Sequence, residues 1–350
     1  MKSHITIGMD LGDRNHIVVI MDADGGEIEC SKVTNTKVSV KRFFQQYSGA
    51  TVAIEAGTHS PWISRLLEEL GCRVYVGNPR KLRVIWDSTD KSDERDARML
   101  AMVCRLEPRL LWPVRHRGMS AHSDLELIKA RDMLVQSRTK LINHVRSVVK
   151  GVGERLPGCS ADSFANRVAA VLPESFRPAL IPLIDTIGDI TGRIRELDKQ
   201  INRLAQDRYP ETQVLQQVQG VGPVTALAYV LTLEDPGLFT KSRMVGPYLG
   251  LTPRRDQSGD TDKQLRITKE GNVYLRKLLV NCAHYIIGPF GPDSDLRRHG
   301  LSIAARGGKN ARKRAAVAVG RKLAVLLHRL WVSGQDYVPT YGSLKIRKAA

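Results

Sequence analysis

The sequence predicts a protein of the α/β plus α class, with a mixed sheet at the start of the chain and mostly helices after it. Over residues 4–105, short apolar segments first form a hairpin meander and then alternate with helical segments, which is typical of an α/β unit. Residues 123–206, by contrast, have mainly helical periodicity. The chain of 350 residues also exceeds the roughly 150 residues of one ordinary domain.

The predicted elements of the first region follow one another closely. A hairpin signal, Asp22-Ala-Asp-Gly-Gly26, joins the second strand to the third, and Thr51–Glu55 has the uninterrupted apolar character of a buried strand. The predicted strands are 4–10, 16–22, 27–33, 51–55 and 73–76, and the predicted helices are 38–47, 61–70, 79–86 and 92–105.

Two long helices are predicted in the middle of the chain, at 123–150 and 181–206. The apolar positions of the second helix step alternately by four and three residues, as in a coiled coil. We expect this seam to join subunits into a homo-oligomer; the alternative is packing inside the chain's own core. The seam residues are Leu183, Ile187, Ile190, Ile194, Leu197, Ile201 and Leu204.

The last part of the chain differs in its residue pattern, with Gly/Pro-rich loops between apolar and basic helical segments. Residues 218–226 place glycines and a proline between two apolar stretches, which is typical of a helix-hairpin-helix element or of an ordinary helix corner. A Gly/Pro-rich loop at 246–259, a helix at 271–287, another loop and a basic helix at 309–331 follow. The predicted domains are an α/β domain with a trailing helix (1–155), a helical coiled-coil linker (156–207), a C-terminal domain (208–335) and a basic tail (336–350).

The positive charge is concentrated at the end of the chain. From Lys241 onward there are 22 basic and 7 acidic residues, which accounts for +15 of the total net charge of +18. Such asymmetry favours a polyanionic partner, by default nucleic acid and less readily a membrane surface. The candidate contacts are Arg254, Arg255, Lys263, Arg266, Lys269, Asn272, Arg276, Arg312, Lys313 and Arg314.

Composition restricts the compartment. No apolar run approaches the roughly 18 residues of a membrane span, and the first residues lead directly into a predicted strand. Five scattered cysteines form no CxxC pair, which favours a reducing cytoplasm over a disulfide framework or a zinc ribbon. We therefore expect a cytoplasmic protein without a membrane partner.

Four carboxylates stand at positions that suggest chemistry. Asp10 and Glu55 each end a predicted strand, and strand ends border the crevice of an open α/β sheet. Asp93 and Asp96 are spaced i, i+3 and therefore share one face of a helix, although Asp93 is equally suited to be a helix cap. Four such side chains can hold two Mg²⁺ ions roughly 4 Å apart, an arrangement that catalyses phosphodiester cleavage.

Several motifs together resemble a known family. The segments MDLG, AIEAG and KSDERDA, and the later block GVGPVTA…YLGLTPRRDQSGD…RITKEGNVYLRKLL, are similar to those of the DEDD insertion-sequence transposases of the one-ten and eleven-eleven groups. The resemblance covers about residues 4–330. It implies an RNase H-like (RuvC-like) domain carrying Asp10, Glu55, Asp93 and Asp96, a coiled-coil linker and a C-terminal transposase domain with a catalytic serine.

The same resemblance implies an activity and its partners. Family members are bacterial recombinases that act on donor and target DNA under the direction of an element-encoded guide RNA, so the protein would be associated with the nucleoid. The serine falls at Ser258, which would attack the DNA backbone while metal-bound carboxylates from another subunit assist. From the residues alone, a serine before a glycine in a basic loop is more often part of a turn.

Two other functions remain as alternatives at this point. One is a RuvC-like nuclease or Holliday-junction resolvase that cleaves without joining strands. The other is a sugar-kinase or actin-like ATPase. The segment MDLG begins a strand hairpin, and in this it resembles the phosphate-binding segment at the start of those enzymes. The turn that follows lacks the usual hydroxyl residue, no second glycine-rich phosphate loop is present, and a kinase has no use for the basic C-terminal third.

Overall fold

The computed structural model describes residues 5–82, 92–259 and 261–341. The chain divides into two compact units between Arg117 and Gly118. In the described ranges, none of the helices combines the length and apolar character needed to cross a membrane.

The first unit is a five-stranded mixed sheet with helices, as predicted. Its elements are β1 (Thr6–Asp10), β2 (Asn15–Met21), β3 (Glu27–Thr34), α1 (Lys37–Phe44), β4 (Thr51–Glu55), α2 (Ser60–Glu69), β5 (Arg73–Gly77), α3 (Pro79–Leu82) and α4 (Asp93–Leu106). The strand order is β3-β2-β1-β4-β5, with the first three strands antiparallel and β4 and β5 parallel to β1. This arrangement is consistent with an RNase H-like domain. The part of the helix predicted at 79–86 that follows Leu82 lies outside the described residues.

The second unit is mostly helical and contains one hairpin. Its elements are α5 (Met119–Gly151), α6 (Phe164–Val168), α7 (Arg177–Arg208), α8 (Thr212–Gln216), α9 (Pro223–Leu233), α10 (Val245–Tyr248), β6 (Pro253–Ser258), β7 (Thr261–Ile267), α11 (Val273–Ile287), α12 (Asp295–Ala304) and α13 (Ala311–Ser333). Helix α12 occupies a segment for which the sequence predicted a loop. The hairpin β6–β7 was also not predicted.

The long helices α5 and α7 pack against each other as an antiparallel pair within one chain. The Arg131 side chain donates to Asp198, and the Nη1 of Arg138 donates to the Thr191 hydroxyl at 3.1 Å and to Asp162 Oδ1 at 2.6 Å. Of the predicted seam, Ile187, Ile194 and Ile201 are buried in this unit. The seam is therefore used at least in part for packing inside the chain, which was the alternative to subunit contact.

Helix α9 forms the centre of the second unit, because every residue from Thr225 to Leu233 is buried. Its first residue is Pro223, and the hydroxyl of Tyr229 donates to the backbone oxygen of Ala324 on α13 at 2.6 Å. Short α8, the glycines of residues 220–222 and α9 make the predicted helix corner. Binding of a phosphate at this corner stays a prediction.

Candidate active site

Asp10 and Glu55 lie side by side at the carboxyl edge of the sheet. Strands β1 and β4 are parallel neighbours with Met9 opposite Ile54, so both strands end at the same edge. The buried residues before them anchor the strands in the core, whereas Asp10 and Glu55 themselves are half-buried. The prediction that two carboxylates border one crevice thus agrees with the strand geometry.

The other two carboxylates open helix α4. The Ser92 hydroxyl caps this helix by accepting from the backbone N–H of Arg95 at 3.3 Å, so Asp93 is not the cap. Asp93 and Asp96 lie in the first turn, where the helix dipole favours negative charge. Asp93 is exposed and Asp96 is half-buried.

A glycine lets α4 cross directly over β1. A Cβ at residue 8 would lie 2.5 Å from the backbone nitrogen of Ala101, and closer still to the backbone oxygen of Ala97. Ala97 and Ala101 are themselves fully buried, so this crossing is packed backbone against backbone. Because Gly8 is two residues before Asp10 and Ala97 directly follows Asp96, the crossing sets the position of the helix carboxylates relative to the sheet.

The electrostatics of Asp10 reflect this proximity. Burial, and after it the negative charges of Asp93, Asp96 and Glu55, raise the pKa of the Asp10 carboxyl from 3.8 to about 6. Only the N–H of Leu11 opposes the shift. The other three carboxylates predicted from the sequence therefore lie close enough to Asp10 to disfavour its charged form.

Oxygen ligands of this kind fit a hard divalent cation. The pKa of the half-buried Asp10 carboxyl is raised by burial and by three negative neighbours, so a cation placed among these carboxylates would stabilise its charged form. Within the described ranges, no three His, Cys, Asp or Glu side chains are gathered closely enough to form a ready-made metal group.

The loops behind this edge are held by polar contacts that the sequence analysis did not anticipate. The Nε2 of His59 lies 3.5 Å from Asp13 Oδ1, and the Asn35 amide donates to the backbone oxygen of Asp13 at 2.8 Å. His16 on β2 is fully buried nearby, and this burial lowers its pKa. These residues tie the β1–β2 loop to the β4–α2 loop, directly after Asp10 and Glu55. The spacing of the histidines in the sequence contains no signal for this.

The glycine crossing gives a direct test of the site's architecture. We expect Gly8→Ala to lower the free energy of unfolding by about 1–3 kcal/mol, because the added methyl pushes α4 off the sheet, and to lower activity by displacing Asp93 and Asp96. Gly57→Ala is the matched control, since an added Cβ there meets nothing within 4 Å and the backbone is unstrained. Urea unfolding of both variants measures the difference, and equal stability would contradict this account.

Ser258 lies at the tip of the β6–β7 hairpin in the second unit. It is the last residue of β6, pairs with Thr261 and is exposed to solvent. Side chains alternate along a strand, so Asp256 and Ser258 share one face of the hairpin, whereas the pairing register shifts between Pro253 and Arg255. The structure thus puts the predicted nucleophile on an ordered strand end, whereas the sequence suggested a loop.

Two glycines and an arginine set the geometry at the base of the hairpin. Gly250 and Gly271 have positive φ, and a Cβ on either would collide with the backbone of the facing loop, at Glu270 and at Tyr248. The buried Arg276 guanidinium bridges these loops by donating to the backbone oxygens of Leu249 at 2.8 Å and of Glu270 at 2.7 Å. Arg276 therefore supports the hairpin from inside the unit.

The other predicted nucleic-acid contacts are mostly on the surface. Asn272 caps α11 by accepting from the N–H of Leu275 at 2.9 Å. The side chain of Lys263 lies outside the described part of the structure. The exposed members of the set are Arg254, Arg255, Arg266, Lys269, Arg312, Lys313 and Arg314.

Comparison with known proteins identifies the family. Residues 7–153 match a family model described as a transposase and named for the DEDD motif and the IS110 element. Residues 212–295 match a second model, described as the transposase IS116/IS110/IS902 family. The chain belongs to the DEDD transposases of the IS110 family. It is therefore an insertion-sequence transposase, an enzyme that acts on DNA.

Individual relatives are similar over most of their length. A probable family 20 transposase of Pseudomonas aeruginosa is 27% identical over 95% of this transposase and 98% of its own chain. The transposase for insertion sequence element IS1111A of Coxiella burnetii is 27% identical over 83% and 79% of the two chains. The transposase for insertion sequence element IS1328 of Yersinia enterocolitica is 26% identical over 81% and 84%.

Proposed function

We propose that this transposase is an RNA-guided DNA recombinase that cuts and rejoins DNA with the DEDD carboxylates and Ser258. The observation that carries the proposal is the position of Asp93, Asp96 and Glu55 near Asp10, where burial and then the negative charges of these three residues raise the pKa of Asp10 to about 6. The exposed, strand-end position of Ser258 supports the second part of the proposal.

The carboxylates are the groups that would hold the metal. Asp10 and Glu55 from the sheet edge and Asp93 and Asp96 from α4 would bind Mg²⁺, with two ions per site. When bound, the ions supply Lewis-acid stabilisation of the negative charge that develops on the phosphate oxygens. The chain's own contribution is to fix the carboxylates on rigid elements through the Gly8 crossing and the Ser92 cap.

Ser258 would make the covalent link to DNA. Its Oγ attacks a backbone phosphorus, a P–O bond to one deoxyribose breaks, and the released sugar oxygen takes up a proton as the serine loses its own. Attack of a second strand's hydroxyl on the same phosphorus reverses these changes and frees the serine. Because one phosphodiester is exchanged for another, no external energy source is needed. Arg254 and Arg255 are placed on the same hairpin to stabilise the phosphate charge.

The further partners follow from the family resemblance. A guide RNA encoded by the element would select donor and target DNA, and the exposed basic side chains of β6, β7 and α13 would contact nucleic-acid phosphates. A homo-oligomer through α7 stays part of this proposal. The surface that it would use is the half-buried part of the seam at Ile190 and Leu197, because Leu183 and Leu204 pack against the chain's own core.

The test is strand exchange with the complete set of partners. RNA that copurifies with the transposase is sequenced, and the purified protein is then incubated with that RNA, Mg²⁺ and two DNA duplexes that match it. The expected result is recombinant junctions that depend on the RNA sequence. Cleavage of branched DNA without RNA and without joined products would instead show a RuvC-like nuclease or Holliday-junction resolvase.

A further inference from the structure

A cavity of about 720 Å³ in the second unit contains none of the ten residues predicted to bind nucleic acid. It lies between α12, α13, the 3-10 turn Ser242–Met244 and the C-terminal segment 337–341. Its volume is within the roughly 300–1,000 Å³ of ordinary ligand sites.

The lining of the cavity is apolar with a cationic rim. Leu296, Val325, Leu326 and Pro247 form apolar wall, and the exposed ring of Tyr341 lies at its edge. Four cations and a single carboxylate, Asp295, also line it. The cations are Arg243, Arg321, Lys322 and Arg329.

Those four cations are not neutralised by the protein. Across residues 5–82, 92–259 and 261–341, no ion pair joins any of them to a carboxylate. Their field reaches the neighbouring His299, whose pKa is lowered by burial and then by Lys322, Arg321 and Arg306. An excess of unpaired positive charge around an apolar recess is complementary to an anion that carries an apolar or aromatic group.

The walls are fixed before any ligand arrives. Fully buried His328 donates from Nε2 to the backbone oxygen of Pro236 at 3.0 Å, because a carbonyl can only accept, and its Nδ1 then accepts from Ser242 Oγ at 3.0 Å. On the other side, the N–H of Asp295 donates to the oxygen of Pro339 at 2.8 Å, and that of Tyr337 donates to Gln217 Oε1 at 2.7 Å. The cavity is therefore preformed.

Two local contacts help to hold the cationic side chains beside the cavity. Gly246 leaves room for the stem of Arg321, since a Cβ there would lie 3.2 Å from Arg321 Cγ. The Arg329 guanidinium lies 5.1 Å from the centroid of the Tyr341 ring, so charge and aromatic face are combined at the rim. Arg314 stands two turns before Arg321 on the same face of α13, which extends the positive surface along the helix.

We propose that this cavity binds an unpaired nucleotide of single-stranded DNA, with the base stacked against Tyr341 in the apolar recess and the adjoining phosphates on Arg321, Lys322 and Arg329. A paired base is stacked inside its duplex and cannot enter a recess, so the ligand must be single-stranded. The source of such DNA rests on the proposed function, since strand cleavage and exchange expose unpaired ends. The site would hold a cut strand until it is joined.

Binding to a labelled single-stranded oligodeoxynucleotide tests this, with full-length protein in EDTA so that no chemistry occurs. Replacing Arg329 with Gln should reduce the slope of log K against log salt by about 0.7, the value for one single-strand phosphate. Tyr341→Leu should weaken binding about tenfold without changing that slope, because it removes stacking and no charge. In the wild type, stacking on Tyr341 should quench the fluorescence of a 2-aminopurine base in the strand. This quenching should be lost in Tyr341→Leu and retained in Arg329→Gln.

Arg203→Gln is the matched control, as it removes one charge from an exposed arginine on α7 that lies outside the cavity. The proposal is overturned if Arg203→Gln and Arg329→Gln change the slope equally, or if Tyr341→Leu leaves affinity and quenching as in the wild type. Tighter binding of single-stranded RNA with the same sensitivity to both cavity variants would also overturn the assignment to DNA. Because the assay contains no metal, failed strand exchange with intact cavity binding would count against the proposed function alone.

Discussion

Asp10→Asn should abolish strand exchange and leave the fold intact. The substitution removes one of four carboxylates that would hold Mg²⁺ while keeping the size of the side chain. Because Asp10 ends a strand and its charge is disfavoured by burial and by Asp93, Asp96 and Glu55, its neutralisation relieves repulsion in the metal-free protein. Near-wild-type strand exchange by this variant would refute the role of the carboxylates.

Stability gives a second readout for the same variant. The folded-state pKa of Asp10, about 6, is above its ordinary value of 3.8, so the folded chain binds more protons between these values. Ionisation of Asp10 therefore costs stability as pH rises from about 4 through 6, and the cost persists at pH 7.5. We expect Asp10→Asn to unfold with a free energy about 1 kcal/mol higher at pH 7.5 in EDTA, a value reduced for partial solvent screening.

The dependence on pH and on Mg²⁺ shows whether the stability gain of Asp10→Asn comes from the Asp10 charge or from an unrelated change in the fold. The stability difference between wild type and Asp10→Asn should shrink toward zero at pH 4, where Asp10 is mostly protonated in the folded chain. Mg²⁺ should stabilise the wild type more than the variant, because the ion binds the folded site. Asp24→Asn, which changes an exposed carboxylate of the same unit, is the control and should show neither behaviour.

Ser258→Ala should eliminate the covalent protein–DNA adduct without loss of stability. The hydroxyl belongs to an exposed residue at the end of β6, so its removal should change the free energy of unfolding by less than about 0.5 kcal/mol. Loss of the adduct could then not be attributed to unfolding. Denaturing electrophoresis of labelled DNA after incubation with protein, RNA and Mg²⁺ measures the adduct directly.

A neighbouring residue provides the control for this experiment. Gln257 is also exposed and lies on the same strand, with its side chain on the opposite face of the hairpin. Gln257→Ala should therefore form the adduct as the wild type does. Equal strand exchange by Ser258→Ala and wild type would show that a water or a DNA hydroxyl is the nucleophile instead.

The first unit could be predicted well from the sequence because its signals are local. Buried strands such as Thr51–Glu55 consist mainly of consecutive apolar residues, and each carboxylate candidate of this unit either ends such a strand or lies in the first turn of a helix. The mixed sheet was thus predicted correctly, and its parallel pairing of β1 with β4 confirms that Asp10 and Glu55 share an edge. The i, i+3 spacing of Asp93 and Asp96 needs only helix geometry.

The β6–β7 hairpin could not be predicted because its strands lack an apolar face. Arg254, Arg255, Asp256, Gln257 and Ser258 are all exposed, so no alternation of apolar and polar residues marks them as a strand. The loops at the base of the hairpin are held by Arg276, which donates to the backbone oxygen of Leu249, 27 residues earlier in the chain. That support is a long-range contact, which periodicity does not contain.

By itself, the sequence determined the order and type of most elements, the charge asymmetry and the motifs by which the family is recognised, because these depend on neighbouring residues. The tertiary structure decided which faces meet. It turned part of the α7 seam toward α5 of the same chain, brought α4 over Gly8 so that three carboxylates act on Asp10, and enclosed the cationic cavity beside α13. Each of these results depends on packing between residues far apart in the chain, where burial and Coulomb interactions are fixed only once the elements are in contact.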